Sequence, residues 1–233
     1  MAEPAYRTAL IVGVGGGLSA SLARTFTKAG MTVALAARRV GDLAALAQEI
    51  GGKAFGCDAA NRAEVARLFV ALDAALGSVD VVVYNASYRT RGPFVELDPD
   101  EVAKSLTVSA FAGFLVAQEA AKRMVPRGHG AILFTGASAS VKGYAQSAPF
   151  AMGKFALRGL AQSLARELSP QGVHVAHFVI DGGIRSARRP DPSDRPDGTL
   201  NPDAIAQSYL DVLRQDRSAW SWEIELRPWV ERF

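Results

Sequence analysis

The chain has little cysteine, and this scarcity limits the disulfide bonds it can form and indicates the redox compartment it suits. Cys57 is the only cysteine among 233 residues, so an internal disulfide framework is excluded. A chain without disulfides suits a reducing compartment, and we expect the protein to be cytoplasmic. Cys57 itself ends an apolar segment and is predicted to be a small buried hydrophobic residue.

Strong charge of one sign and long apolar runs are also missing. Lys and Arg total 26 against 23 Asp and Glu, and a net charge of +3 is too small to indicate a nucleic-acid partner. No apolar run reaches about 18 residues, so no membrane span is predicted. Residues 1–7 lack the apolar core of a signal peptide, and no repeat or zinc-type spacing is present. A small-molecule substrate is therefore the expected partner, and no metal site is predicted.

Glycine, in contrast, is clustered near the amino terminus. Residues 9–12 form an apolar run that predicts a buried strand, and a helix is predicted from about Leu18. A glycine-rich turn lies between them and leaves the backbone N–H groups at the helix start open to an anion, most often a dinucleotide phosphate. The alternative is a tight turn that only packs the helix on the strand. The glycines of this turn are Gly13, Gly15, Gly16 and Gly17.

Apolar runs and amphipathic segments alternate along the rest of the chain. This pattern is typical of a parallel sheet whose two faces are both covered by helices. We therefore predict one α/β domain over residues 1–233, with a doubly wound, mainly parallel sheet of about seven strands in three layers. Strands are expected at residues 9–12, 32–37, 54–57, 80–84, 131–134, 173–180 and 222–226, and helices at 18–29, 43–50, 65–76, 99–124, 150–168 and 205–213.

Several short motifs in this order resemble the short-chain dehydrogenase/reductase family over nearly the full length of the chain. The family's Thr-Gly-x-x-x-Gly-x-Gly pattern is matched at Gly13 and Gly17, with Val12 and Ser19 in place of the first Thr and the last Gly. The family's Asn-Asn-Ala-Gly is matched by Tyr-Asn-Ala-Ser at residues 84–87. Phe114, Leu115 and Gln118 fit the helix that follows, and Asp181-Gly182 stands where the family usually has Pro-Gly. The resemblance implies a Rossmann-type fold that binds a nicotinamide dinucleotide.

The choice between NAD and NADP is made at the end of the second predicted strand. An acidic residue there would bind both ribose hydroxyls and repel a 2′-phosphate. This chain has Ala37 there, followed by Arg38 and Arg39, whose guanidinium groups suit a phosphate, so NADP(H) is predicted. The alternative is a solvated basic pair at a helix start. The resemblance implies further cofactor contacts at Gly13, Gly15, Gly16, Gly17, Leu18, Asp58 (at the adenine ring), Ala59, Asn85, Ala86, Lys154, Gly182 and Ile184.

The residues that carry proton transfer in the family are largely replaced. Family members use Tyr-x-x-x-Lys with a Ser and an Asn, and the lysine lowers the pKa of the tyrosine. Lys154 fits the lysine, but Phe150, Ala137 and Ser109 fall on the other three positions. Phe150 has no hydroxyl and transfers no proton. Lys154 is still expected to hold the nicotinamide ribose; the alternative is an exposed helix lysine.

Three other side chains are candidates for the missing proton donor. Ser138 follows the lost serine position, and Tyr144 lies in the loop that normally borders the substrate. Asp181 ends the sixth strand, and a carboxyl desolvated there would have a raised pKa and act as an acid. The structural alternatives are a turn residue, a loop aromatic and a cap on a neighbouring backbone N–H, respectively.

Two histidines and two glutamates near the carboxyl end carry no predicted chemistry. His174 and His177 have an odd spacing on one strand, which puts them on opposite faces. Both are interpreted as packed or edge histidines rather than ligands. Glu223 and Glu225 share one face of the last strand and are expected to be solvated.

Two functions remain open on these residues. The first is an NADP(H)-dependent oxidoreductase that acts on a small carbonyl, alcohol or related substrate with a rearranged proton-donor site. The second is a non-catalytic NADP(H)-binding module or sensor.

Residues 185–201 are predicted to be a substrate lid, or a solvated linker. The arginines of this segment hint at an anionic or polar substrate, although a surface loop has the same composition; they are Arg185, Arg188, Arg189 and Arg195.

The alanine-rich segments 110–121 and 156–165 predict a homodimer or homotetramer. Small residues let helices approach closely, and in the family these two helices usually pair across a two-fold axis.

Overall fold

A parallel sheet forms the centre of the protein. The computed structural model describes residues 6–186 and 189–231, and within them seven strands pair in the order β3-β2-β1-β4-β5-β6-β7, with every pair parallel. The predicted α/β class and doubly wound arrangement are therefore confirmed. The strands are β1 (Thr8–Val12), β2 (Thr32–Ala37), β3 (Lys53–Gly56), β4 (Val81–Tyr84), β5 (Gly130–Thr135), β6 (Val173–Ile180) and β7 (Glu223–Leu226).

Burial along the strands follows their place in the sheet. The central strands β1, β4, β5 and β6 are buried at every residue, because helices cover both faces. The edge strands β3 and β7 are only partly buried. The continuous apolar runs in the sequence correspond to the central strands, and the shorter mixed runs to the edges.

The helices lie close to their predicted positions. One difference is a π-helical turn, Thr107–Phe111, which interrupts the helix predicted at 99–124. A 3-10 turn, Val40–Leu43, also precedes the second helix. The helices are α1 (Leu18–Lys28), α2 (Ala44–Glu49), α3 (Arg62–Leu76), α4 (Pro99–Leu106), α5 (Ala112–Met124), α6 (Ala148–Leu168) and α7 (Pro202–Leu213).

Two apolar cores separate the three layers. One face of the sheet packs against α3, α5 and α6, with Phe69, Met124 and Leu157 among the buried side chains. The other face packs against α1, α2 and α7, where Phe26 and Tyr209 are fully buried. The predicted three-layer arrangement is confirmed.

The order of strands reverses between β1 and β4. From β1 the chain adds β2 and β3 on one side, and then returns to place β4, β5 and β6 on the other. A crevice opens beyond the carboxyl ends of strands at such a switch point, and this is where open α/β sheets bind ligands.

Large apolar side chains are exposed on the π turn, α5 and α6, where the alanine-rich segments predicted an oligomer surface. Phe111 and Phe114 stack on each other with ring centroids 6.0 Å apart, and both are exposed, as are Met152 and Phe155. Many alanines of these helices point into the core instead: Ala112, Ala117, Ala120, Ala161 and Ala165. Separately, none of the helices within the described ranges has the length and apolarity to cross a bilayer.

Candidate functional site

A cleft of about 990 Å³ lies beyond the carboxyl ends of β1 to β4. Loops that follow these four strands form most of its wall, and α4 with the π turn forms the rest. Seven of the predicted cofactor residues line it: Gly13, Arg38, Arg39, Asp58, Ala59, Asn85 and Ala86. The structure thus brings together residues that are separated by up to 73 positions in the sequence.

Gly13 holds the turn after β1 against the turn after β4. Its φ of +84° lies in the region that favours glycine, and a Cβ built there would lie 2.4 Å from the backbone nitrogen of Ala86. The Gly13 N–H donates to the Ala36 carbonyl at 3.0 Å. This close approach explains why glycine is required at this position whether or not a ligand binds.

The other three glycines have a different role. A Cβ built at Gly15, Gly16 or Gly17 would meet nothing in the protein within 4 Å. Gly17 caps α1, no side chain bonds the cap, and the first turn of the helix has no acidic residue. Open space therefore lies beside these glycines, and the backbone N–H groups that a helix start leaves without an internal partner fit a pyrophosphate there. The side chain of Leu18 is buried in the core, so only its backbone is available to a ligand.

The two arginines after β2 are held differently. Arg39 Nε donates to the Asp42 carboxylate at 2.8 Å, whereas Arg38 forms no hydrogen bond or ion pair within the described part of the chain. Both side chains are exposed at the cleft. Arg38 is thus the guanidinium that is available to a ligand phosphate.

Asp58 and Asn85 order the walls of the cleft. The Asp58 carboxylate accepts from the Ala60 N–H at 3.0 Å, and the Asp58 N–H donates to the Glu64 carboxylate at 2.8 Å. Asn85 Nδ2 donates to Ser19 Oγ at 2.6 Å, and Ser19 Oγ donates to the Gly13 carbonyl at 3.2 Å. The loop after β4 is therefore tied directly to the glycine turn.

Lys154 is buried, so its interpretation as an exposed helix lysine is wrong. It is 3% exposed, and its Nζ donates to the Thr135 carbonyl at 2.7 Å. Burial lowers the pKa of Lys154 to about 8. Thr135 O is the only acceptor that Nζ has among the described residues, which leaves two of its three donors for a ligand.

Asp181 is ionised, and the expected raised pKa of this carboxyl is wrong. Burial by itself raises the pKa, but hydrogen bonds from Ser138 and Lys142, with the charges of Lys142 and Arg227, outweigh it and hold the pKa below its usual value. Lys142 Nζ lies 3.0 Å from Asp181 Oδ2. A carboxylate held in this way is a poor proton donor at neutral pH, and it positions Ser138 instead.

The remaining predicted residues lie at the same end of the sheet. Tyr144 is half exposed in the loop between β5 and α6. Gly182, with φ +152°, packs so closely that a Cβ would lie 2.8 Å from Leu200 Cδ1. Ile184 forms a single bridge with Leu200, at the base of the predicted lid.

A buried polar chain lies beneath this end of the sheet. The Ala137 N–H donates to Ser140 Oγ at 3.1 Å, Ser140 Oγ lies 3.3 Å from His177 Nε2, and His177 Nδ1 lies 3.1 Å from Glu223 Oε2. Burial lowers the pKa of His177 to about 4, so the ring is neutral and donates from Nδ1 to the carboxylate.

The expectation that Glu223 is solvated is therefore wrong. Arg158 donates to it through two nitrogens, at 2.6 and 2.7 Å. On the opposite face of β6, His174 stacks on Trp220 and bonds the Ser221 carbonyl, so both histidines are packed as predicted. In the described residues, no three His, Cys, Asp or Glu side chains are grouped to hold a metal.

The segment predicted as a lid is tied down at several points. Arg185 donates to the Asp191 carboxylate at 2.8 Å, and the Thr199 N–H donates to the same carboxylate at 3.1 Å. Arg195 pairs with Glu231 at 2.7 Å. Arg188 lies outside the described residues. Arg185 and Arg195 are therefore paired with carboxylates. The guanidinium of Arg189, in contrast, has no acidic partner in the described part of the chain.

Ser109, at the family's asparagine position, fixes backbone rather than a ligand. Its Oγ lies 3.3 Å from both the carbonyl and the N–H of Tyr88. It lies in the π turn, against Gly153 of α6, where a Cβ would lie 2.7 Å from the Ser109 Cβ. The π turn is thus packed tightly on α6, one residue before Lys154.

Sequence reasoning missed part of the cleft wall. Tyr88, Lys104, Thr107 and Val108 all line it, and Lys104 Nζ donates to Tyr88 Oη at 3.2 Å. Tyr88 directly follows the motif at 84–87, and its place in the chain was a usable signal. The other three reach the cleft because of the direction of α4 and the π turn, which the sequence pattern does not specify.

Comparisons with known proteins agree with this geometry. Residues 7–191 match the profile of the family described as short chain dehydrogenase. D-threitol dehydrogenase of Mycolicibacterium smegmatis is 29% identical over 174 residues, which cover 72% of this chain and 67% of that protein. A crystal structure of a short-chain dehydrogenase from Rhodopseudomonas palustris is 35% identical with a TM-score of 0.84, covering 97% of this chain and 100% of that one. A metagenomic short-chain oxidoreductase in complex with NADP is 28% identical with a TM-score of 0.82, covering 96% and 98%.

Proposed function

The chain belongs to the short-chain dehydrogenase family, and on that premise we propose that it is an NADP(H)-dependent oxidoreductase. It would transfer hydride to or from a small carbonyl, alcohol or related substrate through a rearranged proton-donor site. The observation that carries the proposal is a cleft lined by Asn85, Ala86 and Arg38, with the open glycine turn at residues 15–17 following its Gly13 wall in the chain. Among the described residues, Arg38 has no hydrogen bond or ion pair. When bound, the nicotinamide supplies the hydride chemistry.

The preference for NADP(H) over NAD(H) rests on the residues after β2. Ala37 offers no carboxylate to the ribose, and Arg38, whose guanidinium has no partner among the described residues, lies at the same edge of the cleft. Arg39 adds positive charge but shares it with Asp42. A relative solved with NADP, 28% identical to this chain, is consistent with this preference.

The proposed site lacks the family's phenol and serine hydroxyl. Phe150 stands four residues before Lys154, and Ala137 stands at the serine position. Two nearby hydroxyl residues, Tyr209 and Ser140, do not replace them, because both are fully buried. Tyr209 Oη shares a hydrogen bond with Thr135 Oγ1 at 2.8 Å, and burial raises its pKa far above the usual range.

Two roles remain for side chains near the carboxyl end of β5, which do not line the cleft itself. We assign Lys154 to the nicotinamide ribose, since its two remaining N–H donors have no other acceptor among the described residues. Ser138 is oriented by Asp181, and Tyr144, six residues further along the same loop, is half exposed. Either hydroxyl, directly or through a water molecule, would supply the proton to the substrate oxygen.

A non-catalytic NADP(H)-binding module is the second candidate. The observation that favours it is the replacement of three catalytic positions, with Ser109 used to hold the Tyr88 backbone and Phe150 covered by Arg89. Such a module would bind NADPH tightly and turn nothing over.

Rapid-mixing measurement of NADPH oxidation separates the two candidates. Aldehydes, ketones, quinones and imines are tested with the wild-type protein, and turnover above the buffer rate is expected for at least one class. No turnover with any class, together with tight NADPH binding, would favour the binding module. The double variant Phe150→Tyr, Ala137→Ser then shows whether the pocket accepts the ordinary family chemistry.

A further inference from the structure

Two positively charged groups lie over the Phe150 ring. The guanidinium carbon of Arg89 lies 4.8 Å from the ring centroid and Lys154 Nζ lies 5.8 Å from it, both within the range of a cation–π contact. The loop that carries Arg89 and Arg91 is joined to the loop before α6, because the Gly92 N–H donates to the Gln146 carbonyl at 3.2 Å. Arg89 is therefore held over the side chain that replaces the family's tyrosine.

Arg189 reaches the same region from the segment after β6. Its side chain lies on the backbone of Gly183, where a Cβ would lie 3.1 Å from Arg189 Cδ and 3.2 Å from Nη1. Gly183 follows Asp181 by two residues, and the Asp181 carboxylate bonds Ser138. The Arg189 guanidinium thus lies at the end of the sheet where Ser138 and Phe150 are found.

In the part of the chain that the structure describes, no carboxylate balances the charge of these arginines. Within residues 6–186 and 189–231, Arg89, Arg91 and Arg189 form no ion pair, unlike Arg185 and Arg195. Asp181, the buried carboxylate of this region, is already engaged by Lys142 and Ser138. Burial, followed by the charges of Arg91 and Arg189, lowers the pKa of the Arg89 guanidinium. Like charges placed together destabilise one another, and an anion between them would relieve this.

We propose that the substrate carries an anionic group, a carboxylate or a phosphate, which Arg89 and Arg189 hold beside the Phe150 ring. This inference rests on the proposed function, since it names the class of substrate for that site. Guanidinium forks match the paired oxygens of both groups, and the Phe150 ring packs against the Arg89 guanidinium at 4.8 Å. The Phe150 ring thus has a role in binding, because it supports Arg89, and this role does not require the hydroxyl group of a tyrosine.

Calorimetry with unreactive probes tests the proposal independently of turnover. Benzoate, phenyl phosphate and the neutral benzamide are titrated into the protein, with and without saturating NADPH. We expect at least one anion to bind at least about tenfold more tightly than benzamide, and the ratio of the two anions distinguishes carboxylate from phosphate recognition. Arg89→Gln and Arg189→Gln should each lose at least about tenfold in anion affinity and leave benzamide unchanged.

Arg214→Gln is the matched control, because Arg214 ends α7, which runs from the carboxyl end of the sheet back to its amino end. It should leave anion affinity unchanged. Equal binding of all three probes, or equal losses in the three variants, would overturn the anion site. Anion binding without NADPH binding would support the anion site and refute the proposed function. NADPH binding without a preference for the anions would refute the anion site and leave the proposed function standing.

Discussion

Arg38 and Arg39 are adjacent in sequence but differ in what holds them. Asp42 engages Arg39, whereas Arg38 has no such partner in the described ranges. We expect Arg38→Ala to weaken NADPH binding by about tenfold to a hundredfold, because a charge-assisted contact to phosphate is lost, and to leave NADH binding nearly unchanged. Arg39→Ala should have a smaller effect. Fluorescence titration measures all four affinities, and equal losses for NADPH and NADH in Arg38→Ala would contradict the assignment.

Lys154 gives a pH dependence with a defined direction. Its pKa is lowered to about 8, so the ammonium loses its proton as the pH rises through this value. A neutral amine donates fewer hydrogen bonds and carries no charge, so NADPH affinity should fall between about pH 7 and pH 9. Titrations across this range check the fall. Lys154→Met should bind NADPH more weakly at pH 7 and show no such fall; the same slope in both proteins would exclude Lys154 as its source.

The electrostatics of the site could be predicted only in part at the level of single residues. Arg38 was identifiable because it follows a strand end directly. Asp181 was identifiable as a carboxylate at a strand end, but Lys142 lies 39 residues away and meets it only when two loops fold together. Burial alone raises the pKa of Asp181, and the hydrogen bond from Ser138, together with Lys142 and Arg227, reverses the sign of the shift.

The glycine turn is the element on which the cleft depends, and its glycines should respond differently to substitution. Gly13→Ala forces a Cβ against the Ala86 backbone at positive φ, so the free energy of unfolding should fall by at least about 2 kcal/mol. Gly15→Ala adds a Cβ to open space and should leave stability within about 0.5 kcal/mol of wild type.

Denaturant unfolding and NADPH titration of both variants check this difference. Gly15→Ala should still lose cofactor affinity, because its new methyl group lies where the phosphate is expected. A stable Gly15→Ala protein with unchanged NADPH affinity would show that this turn does not contact the cofactor.

Helices and strands could be predicted where the local sequence alone determines them. The strands β1, β2 and β6 appear as uninterrupted apolar runs, and their bounds agree with the prediction to within a residue. The π turn at Thr107–Phe111 was not predictable, because the contact with Gly153 that accompanies it comes from a distant helix. The partial burial of Glu223 likewise depends on Arg158 and His177, which lie on other elements.

At the scale of the whole molecule, the exposed apolar surface on α5 and α6 predicts self-association. Phe111 and Phe114 are 52% and 38% exposed, and Phe155 is 44% exposed on the adjacent helix. We expect light scattering after size exclusion to give the mass of a dimer or tetramer. The double variant Phe114→Glu, Phe155→Glu should shift the mass towards the monomer, because charges placed in an apolar interface are costly to bury. Val70→Glu, a change at an exposed residue of α3, is the control and should not shift it. A monomeric wild type would contradict the prediction.

The central claim is that the molecule binds a phosphorylated nicotinamide dinucleotide in the cleft between β1 and β4. Isothermal titration calorimetry of the wild-type protein with NADP⁺ and with NAD⁺ tests it most directly. We expect saturable heat with NADP⁺ and an affinity at least about tenfold higher than for NAD⁺. Equal affinities, or no heat with NADP⁺ and NADPH alike, would contradict it.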